Sequence, residues 1–184
     1  MLLTGPIWGD FPSLKLGRMV RYGSTIERDL LYFLEYWKTV TWYREQPMTI
    51  EHTMPDGSVH RYTPDYEIAE GTVKTLVECK PEARLKTQQA VQQRQIGQLW
   101  AEKIGYHFVT FTDTELRSGH HLANLKLFWR YARRRDSILH HRILERVTRE
   151  EACSTEALCK ELGEPLELIF PTACNLGCTR FGGQ

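Results

Sequence analysis

The sequence predicts an α/β fold in which a mixed sheet with flanking helices is followed by a small helical domain. Three observations support this prediction. Segments rich in β-branched and aromatic residues lie between two helix-like segments in the first part of the chain. An apolar strand follows the second helix, as expected for a buried central strand or a crossover to a parallel strand. From about Ser118 onward, only helical patterns remain.

The composition is that of a globular protein. Of the 184 residues, 41% are hydrophobic and 26% are charged, which is typical of soluble domains. No apolar run approaches the roughly 20 residues that a membrane span needs. The start of the chain lacks the basic and apolar segments of a signal peptide, so we expect a cytoplasmic location. The net charge of +1 neither requires nor excludes a nucleic-acid partner, because the distribution of charge matters more than the sum.

The first predicted helix begins near Ser24, which suits an N-cap position. Glu27 follows three residues later, as in a capping box. The next turns carry apolar residues at helical spacing, namely Ile26, Leu30, Phe33, Leu34 and Trp37. Residues 1–23 are mixed in character and are predicted to form an N-terminal arm.

Three strands of antiparallel type are predicted after this helix. Segments 39–54 and 58–69 flank a Pro-Asp-Gly turn signal, and segment 72–80 follows a Glu-Gly turn. A long helix over 83–105 ends at a glycine suited to a C-cap. The apolar segment 106–112 then forms the last strand of the core.

The order of predicted helices and strands divides the chain into an N-terminal arm over residues 1–23, a core over residues 24–117 and a helical domain over residues 118–184. The last two predicted helices, SILHHRILERV and STEALCKELG, resemble a helix-turn-helix pair. Arg130, Arg133 and Arg134 recur at three- and four-residue steps on the preceding helix and could grip DNA phosphates. Lys86, on the long helix predicted within the core, could also contact DNA phosphates. A solvated helix face is the alternative for these positions.

Three residues at the ends of neighbouring strands form the candidate chemical site. Asp65 follows Pro64 on the third predicted strand, while Glu78 and Lys80 lie two apart on the next strand and share one face. Two carboxylates at one point suit Mg²⁺ or Mn²⁺. A lysine beside them could stabilise charge that develops on a phosphoryl group. The alternative is a solvated strand end with Lys80 paired to a surface acid.

The pattern Pro64-Asp65, Glu78-x-Lys80 resembles the core motif of PD-(D/E)xK nucleases. The wider segment, with its Glu-Arg-Asp helix start and its EQP, YTPD and ECKP strands, resembles the TnsA family over about residues 20–112. TnsA proteins are the endonuclease subunits of heteromeric, Tn7-like transposases. The resemblance implies a restriction-endonuclease-like core followed by a small winged-helix-like domain.

The resemblance also implies a set of site residues. Those with a catalytic role are Glu27, Asp65, Glu78 and Lys80. The metal ligands are Glu27, Asp65, Glu78 and the main-chain carbonyl of Cys79, with Mg²⁺ or Mn²⁺ as cofactor. For Glu27 the helix-capping interpretation remains open beside the metal-site one.

The function implied by the resemblance is metal-dependent cleavage of the 5′-ended strands at transposon ends. The partners would be the transposon-end DNA, the DDE-type transposase subunit TnsB and the AAA+ regulator TnsC. Two alternatives remain: a restriction or junction-resolving nuclease of the same fold that acts alone, and a DNA-binding adaptor with a vestigial nuclease core. The intact acidic trio with its lysine argues against the adaptor.

Overall fold

The computed structural model describes residues 7–54, 57–132, 137–149 and 154–181. The chain divides into two compact units, residues 1–122 and 123–184. None of the described helices combines the length and apolar character that crossing a membrane requires.

The elements follow one another along the chain in a mixed order of strands and helices. They are β1 (Gly9–Ser13), β2 (Arg18–Tyr22), α1 (Thr25–Tyr36), β3 (Trp42–Glu45), β4 (Ile50–Thr53), β5 (Val59–Tyr62), β6 (Tyr66–Glu70), β7 (Val73–Lys80), a 3₁₀ turn (Glu82–Arg84), α2 (Gln88–Lys103), β8 (His107–Thr112), α3 (Asp113–Leu116), α4 (His121–Tyr131), α5 (Ser137–Arg149), α6 (Thr155–Leu162) and α7 (Leu166–Phe181).

The central sheet of the first unit has four strands in the order β3-β6-β7-β8. Its first two pairings are antiparallel and the β7–β8 pairing is parallel, so the prediction of an α/β core with a mixed sheet is confirmed. Helix α2 provides the crossover between the two parallel strands. Strand β8 lies at the edge of this sheet and is mostly half-buried, rather than being a buried central strand.

The single strand predicted over residues 58–69 is wrong, because the chain breaks between β5 and β6. Strand β5 pairs only with β4 in a separate two-stranded sheet, whereas β6 joins the central sheet. Pro64 lies in the break. A proline has no N–H to donate to a strand pairing, and it restricts the backbone conformation of the residue before it. The two halves of the segment can therefore join different sheets.

Helix α2 packs on one face of the central sheet together with the β4–β5 hairpin. The buried residues of this core are Ile50, Tyr62, Leu76, Ile96 and Ala101. Gly97 allows the closest approach, since a Cβ at this position would lie 2.3 Å from the ring of Phe108 on β8. The helix therefore lies tightly against the two parallel strands.

The segment predicted as an arm contains the β1–β2 hairpin, which is tied to α1. The ammonium of Lys15 donates to the carbonyls of Leu34, Trp37 and Val40 at 2.5, 2.7 and 2.6 Å. Carbonyls at a helix C-terminus lack intrahelical partners and favour positive charge. The Lys15 contacts therefore satisfy the end of α1 and hold the hairpin on it.

The first unit extends beyond the predicted boundary between residues 117 and 118. Helix α3 begins with a capping box formed by Thr112 and Glu115. Arg117 then donates to the buried carboxylate of Asp29 at 2.8 Å. These contacts hold the segment after β8 against α1, and the compact unit ends only at Leu122.

The described residues of the second unit are helical, as predicted. Its core is formed by residues of α5, α6 and α7, namely Leu139, Ile143, Leu158, Ile169 and Leu176. Gly163 ends α6 in the left-handed conformation with φ of 68°, which glycine adopts without strain. A winged helix also needs strands, and residues 123–132, 137–149 and 154–181 contain none. The winged-helix-like arrangement therefore stays a prediction.

Candidate active site

A cleft of about 400 Å³ opens in the first unit beside the C-terminal end of β7. The N-terminus of α1 forms one wall and the 3₁₀ turn with the first turns of α2 forms the other. The residues that line it are Ser24, Thr25, Ile26, Glu27, Asp65, Glu78, Cys79, Lys80, Pro81, Arg84, Thr87, Gln89, Ala90 and Gln93. All four residues predicted to be catalytic therefore meet in one cleft.

Glu78 and Lys80 form an ion pair on one face of β7. The Lys80 Nζ atom lies 2.7 Å from Glu78 Oε1. Glu78 is only 5% exposed, and its other oxygen, Oε2, accepts a hydrogen bond of 2.6 Å from the hydroxyl of Tyr62. Both carboxylate oxygens of Glu78 are thus held by protein groups.

Asp65 lies in the break between β5 and β6, immediately before β6, rather than on a strand as predicted. Strands β6 and β7 pair from Tyr66 opposite Val77, and one step further along this register Asp65 comes opposite Glu78. The Asp65 Oδ2 atom accepts a hydrogen bond of 2.6 Å from the main-chain N–H of Cys79. This bond anchors the Asp65 carboxylate beside the Glu78–Lys80 pair.

Glu27 makes a capping contact and also lines the cleft. Its main-chain N–H donates to the N-cap hydroxyl of Ser24 at 3.1 Å. Its carboxylate accepts from the N–H of Gly23 at 2.7 Å, one residue before the N–H that a capping box would use. The two interpretations of Glu27 are therefore compatible, because one side chain can cap α1 and face Asp65.

The electrostatics of the cleft show that its carboxylates repel one another. Burial raises the pKa of Asp65 well above its usual value, and the neighbouring Glu78 and Glu27 carboxylates raise it further. Like charges held close together disfavour the ionised form of each. Burial also raises the pKa of the Cys79 thiol well above its usual range, so this side chain is not a thiolate at neutral pH.

Tyr62 is a buried hydrogen-bond donor to Glu78, one of the residues that line the cleft. Burial, followed by the charge of Glu78, raises the pKa of Tyr62 far above its usual value. The hydroxyl therefore keeps its proton at neutral pH and donates a hydrogen bond to Glu78.

A comparison with known protein families identifies this region. Residues 38–113 match the model of the TnsA-like endonuclease N-terminal domain. In this part, which is less than half of its length, the chain is similar to a TnsA-like endonuclease. The matched TnsA-like domain contains Asp65, Glu78 and Lys80, while Glu27 on α1 precedes it. No curated protein matches the chain.

The donor set of the TnsA-like domain fits a hard divalent cation. Nothing among the described residues forms a ready-made group of three or more His, Cys, Asp or Glu metal ligands. Mg²⁺, however, commonly keeps several waters and takes only one or two protein carboxylates together with substrate phosphates. Asp65 and Glu78, whose neighbouring carboxylates repel each other, offer those ligands. Glu27 and the carbonyl of Cys79 remain predicted ligands.

The predicted DNA-binding residues that the structure describes belong to different units. Lys86 is exposed in the turn before α2, and among the described residues of this turn Arg84 rather than Lys86 lines the cleft. Arg130 is exposed near the end of α4 in the second unit. Arg133 and Arg134 lie outside the described residues.

Sequence reasoning missed Tyr62, which donates to a residue of the cleft, and Arg84, which lines it. Tyr62 precedes the Thr-Pro-Asp segment by one residue, but nothing in the strand pattern showed that β5 leaves the central sheet. Arg84 follows Lys80 by four residues in a turn that the sequence assigned to a helix. A basic residue close behind the acid-x-lysine pair was the available signal for Arg84.

Proposed function

We propose that the chain is the endonuclease subunit of a Tn7-like cut-and-paste transposase. It hydrolyses the 5′-ended strands at the transposon ends with Mg²⁺ or Mn²⁺ as cofactor. The observation that carries this proposal is the family match over residues 38–113, because that segment brings Asp65, Glu78 and Lys80 into one cleft.

The cofactor would be held by the carboxylates of Asp65 and Glu78, with Glu27 and the carbonyl of Cys79 as further ligands. When bound, it polarises a phosphoryl oxygen and makes a bound water more acidic. The hydrogen bond from the Cys79 N–H and the one from Tyr62 hold the two central carboxylates in place. The protein thus supplies a fixed set of oxygen donors.

The rest of the cleft suits a phosphodiester. The N-termini of α1 and α2 both border it, and helix N-termini favour anions because their first N–H groups lack helical partners. Arg84 adds positive charge at the rim. A DNA backbone lying between the two helices would present its phosphate to the carboxylates and to Lys80.

In the hydrolytic step a water oxygen bonds to phosphorus and the bond from phosphorus to the 3′ oxygen breaks. One product strand ends in a 5′-phosphate and the other in a 3′-hydroxyl, which takes up a proton. The positive charge of Lys80 stabilises the negative charge that develops on the phosphoryl oxygens. Charged donors aimed at developing charge are usually a large contribution to catalysis.

The partners are the transposon-end DNA, the transposase subunit TnsB and the regulator TnsC. DNA affinity depends strongly on the number of phosphates that Lys and Arg side chains neutralise. With a net charge of +1, the chain has little excess positive charge for tight binding of its own. TnsB would therefore bring the TnsA-like domain to the correct phosphodiester, and the helical second unit is the proposed contact for TnsC.

The partner dependence predicts a clear difference in a cleavage assay. The isolated protein is expected to bind DNA weakly and to cut little, whereas addition of TnsB should produce cuts in the 5′-ended strands at the transposon ends. The measurement is strand-specific mapping of cuts on labelled end DNA, with and without the partner. Efficient, site-specific cutting by the chain alone would reject partner dependence and favour a nuclease that acts by itself.

Substitution of Glu27 separates capping from a role in cleavage. Glu27→Gln keeps an oxygen that can accept from the Gly23 N–H, so stability should fall by less than about 1 kcal/mol. If Glu27 also binds the cofactor, the loss of its charge should reduce cleavage by at least about tenfold. Cleavage rates and urea unfolding curves measure the two effects separately.

Glu115→Gln is the matched control for this substitution. Glu115 occupies the third position of α3, and its carboxylate accepts from the N–H of Thr112 at 2.8 Å. The residue makes a capping contact like that of Glu27 but does not line the cleft. Its substitution should change stability by a similar amount and leave cleavage unchanged. Equal cleavage by both variants would make Glu27 a capping residue only.

A further inference from the structure

Tyr62 connects two separate sheets at the candidate active site. The residue ends β5, in the β4–β5 hairpin, and is 4% exposed. Its hydroxyl donates to Glu78 Oε2, on β7 of the central sheet, at 2.6 Å. Its ring packs in the buried core beside Leu76 and Ile96. The tyrosine is therefore fixed by packing and cannot follow Glu78 if that side chain turns.

The two oxygens of Glu78 have partners of different mobility. Oε2 is held by the buried Tyr62 hydroxyl, whereas Oε1 is held by the ammonium of Lys80. The Lys80 side chain is 26% exposed and has four rotatable carbon–carbon bonds with which to withdraw. Exchange of a partner is therefore easier at Oε1 than at Oε2.

We propose that Tyr62 is a positioning residue that retains Glu78 Oε2, and that a divalent cation binds Glu78 through Oε1 in exchange for the ammonium of Lys80. This inference rests on the proposed function, since it concerns the cofactor of the same cleft. It adds that the Glu78–Lys80 ion pair competes with cation binding. A bound cation would leave the Lys80 ammonium free to turn toward the substrate phosphate.

A second tyrosine–glutamate pair in the same unit provides a matched control. The hydroxyl of Tyr43 donates to Glu35 Oε1 at 2.5 Å, and Tyr43 is fully buried. The Tyr43–Glu35 pair ties β3 to α1 and lies outside the residues that line the cleft. Tyr43→Phe and Tyr62→Phe therefore remove the same chemical group from comparable surroundings, one of them beside the site.

The test is a calorimetric titration of the full chain with Mn²⁺ in the absence of DNA. Tyr62→Phe should weaken Mn²⁺ binding by about 10- to 100-fold, the range seen when the group that orients a metal ligand is lost. Tyr43→Phe should bind Mn²⁺ as the wild-type protein does. Lys80→Met, which removes the competing ammonium but keeps an unbranched side chain as long as the lysine carbon chain, should bind Mn²⁺ more tightly than wild type.

Thermal unfolding of each variant with and without Mn²⁺ shows that the binding changes do not reflect a damaged fold. Both tyrosine variants should unfold at lower temperature than wild type, but only Tyr62→Phe should lose most of the shift that Mn²⁺ produces. Rescue of Tyr62→Phe by higher Mn²⁺ concentration would further support positioning, because the ligand itself is still present.

The possible failures are distinguishable. Wild-type protein that binds no Mn²⁺ would contradict both the metal-dependent function and this inference. Normal binding by wild type together with equal binding by Tyr62→Phe would reject the positioning role alone. Weaker binding by Lys80→Met would reject the exchange on Glu78, since it would show that the ammonium assists cation binding rather than competing with it.

Discussion

Asp65→Asn is expected to abolish DNA cleavage and to raise the stability of the folded protein at neutral pH. The amide oxygen can still accept the hydrogen bond from the Cys79 N–H, so the strand end keeps its shape. The variant loses the carboxylate charge that we propose holds the cofactor. It also loses the repulsion from Glu78 and Glu27 that raises the pKa of Asp65 after burial.

The sign of the stability change follows from the two states of Asp65. In the unfolded chain Asp65 loses its proton at about pH 4, whereas in the folded chain the raised pKa delays this loss to higher pH. Between the two pKa values the folded state binds more protons, so wild-type stability falls as the pH rises through this window. The Asn variant has no proton to lose at this position and should lack that decline.

Urea unfolding in EDTA at a series of pH values, combined with a cleavage assay, measures both effects. Asp113→Asn is a control of opposite sign, because a hydrogen bond from the Glu82 N–H lowers the pKa of this exposed carboxyl. That variant should gain no stability at neutral pH and should cut DNA normally. An Asp65→Asn protein that cuts at the wild-type rate would overturn the proposed site.

Lys80→Ala is expected to block cleavage of the 5′-ended strands while leaving 3′ cleavage by TnsB intact. The substitution removes the only ammonium in contact with Glu78 among the described residues. It therefore also removes the positive charge that we propose stabilises the transition state. Loss of one such donor typically lowers the rate by about 100- to 1,000-fold. The transposon would then be nicked at its ends without being excised.

Strand-specific mapping of cuts with TnsB present measures this outcome. Lys74→Ala is the matched control, because Lys74 also lies on β7 and pairs with a buried carboxylate, Glu67, at 3.3 Å. The Lys74–Glu67 pair is outside the residues that line the cleft, so cutting of both strands should persist. If Lys80→Ala lost cuts on both strands equally, Lys80 would act in assembly of the complex rather than in hydrolysis.

The residue pattern was sufficient to predict that Glu78 and Lys80 lie together and that Asp65 approaches them. Glu78 and Lys80 share a face because side chains alternate along a strand, and this holds whatever the strand packs against. The short turn after β6 fixes the β6–β7 register, so the approach of Asp65 to Glu78 is also a local consequence of sequence. The mixed sheet could be predicted from the order of strand and helix patterns along the chain, which is also a property of the sequence alone.

Tertiary structure decided which other groups complete the cleft. Glu27 reaches it from α1 and Arg84 from a 3₁₀ turn, while Tyr62 contacts Glu78 from a hairpin of another sheet. No sequence period relates these elements, because their distances depend on how α2 and the β4–β5 hairpin pack on the central sheet. Pro64 lies between β5 and β6, and these two strands belong to different sheets. Only the packing of the hairpin against Leu76 then brings the Tyr62 hydroxyl to Glu78.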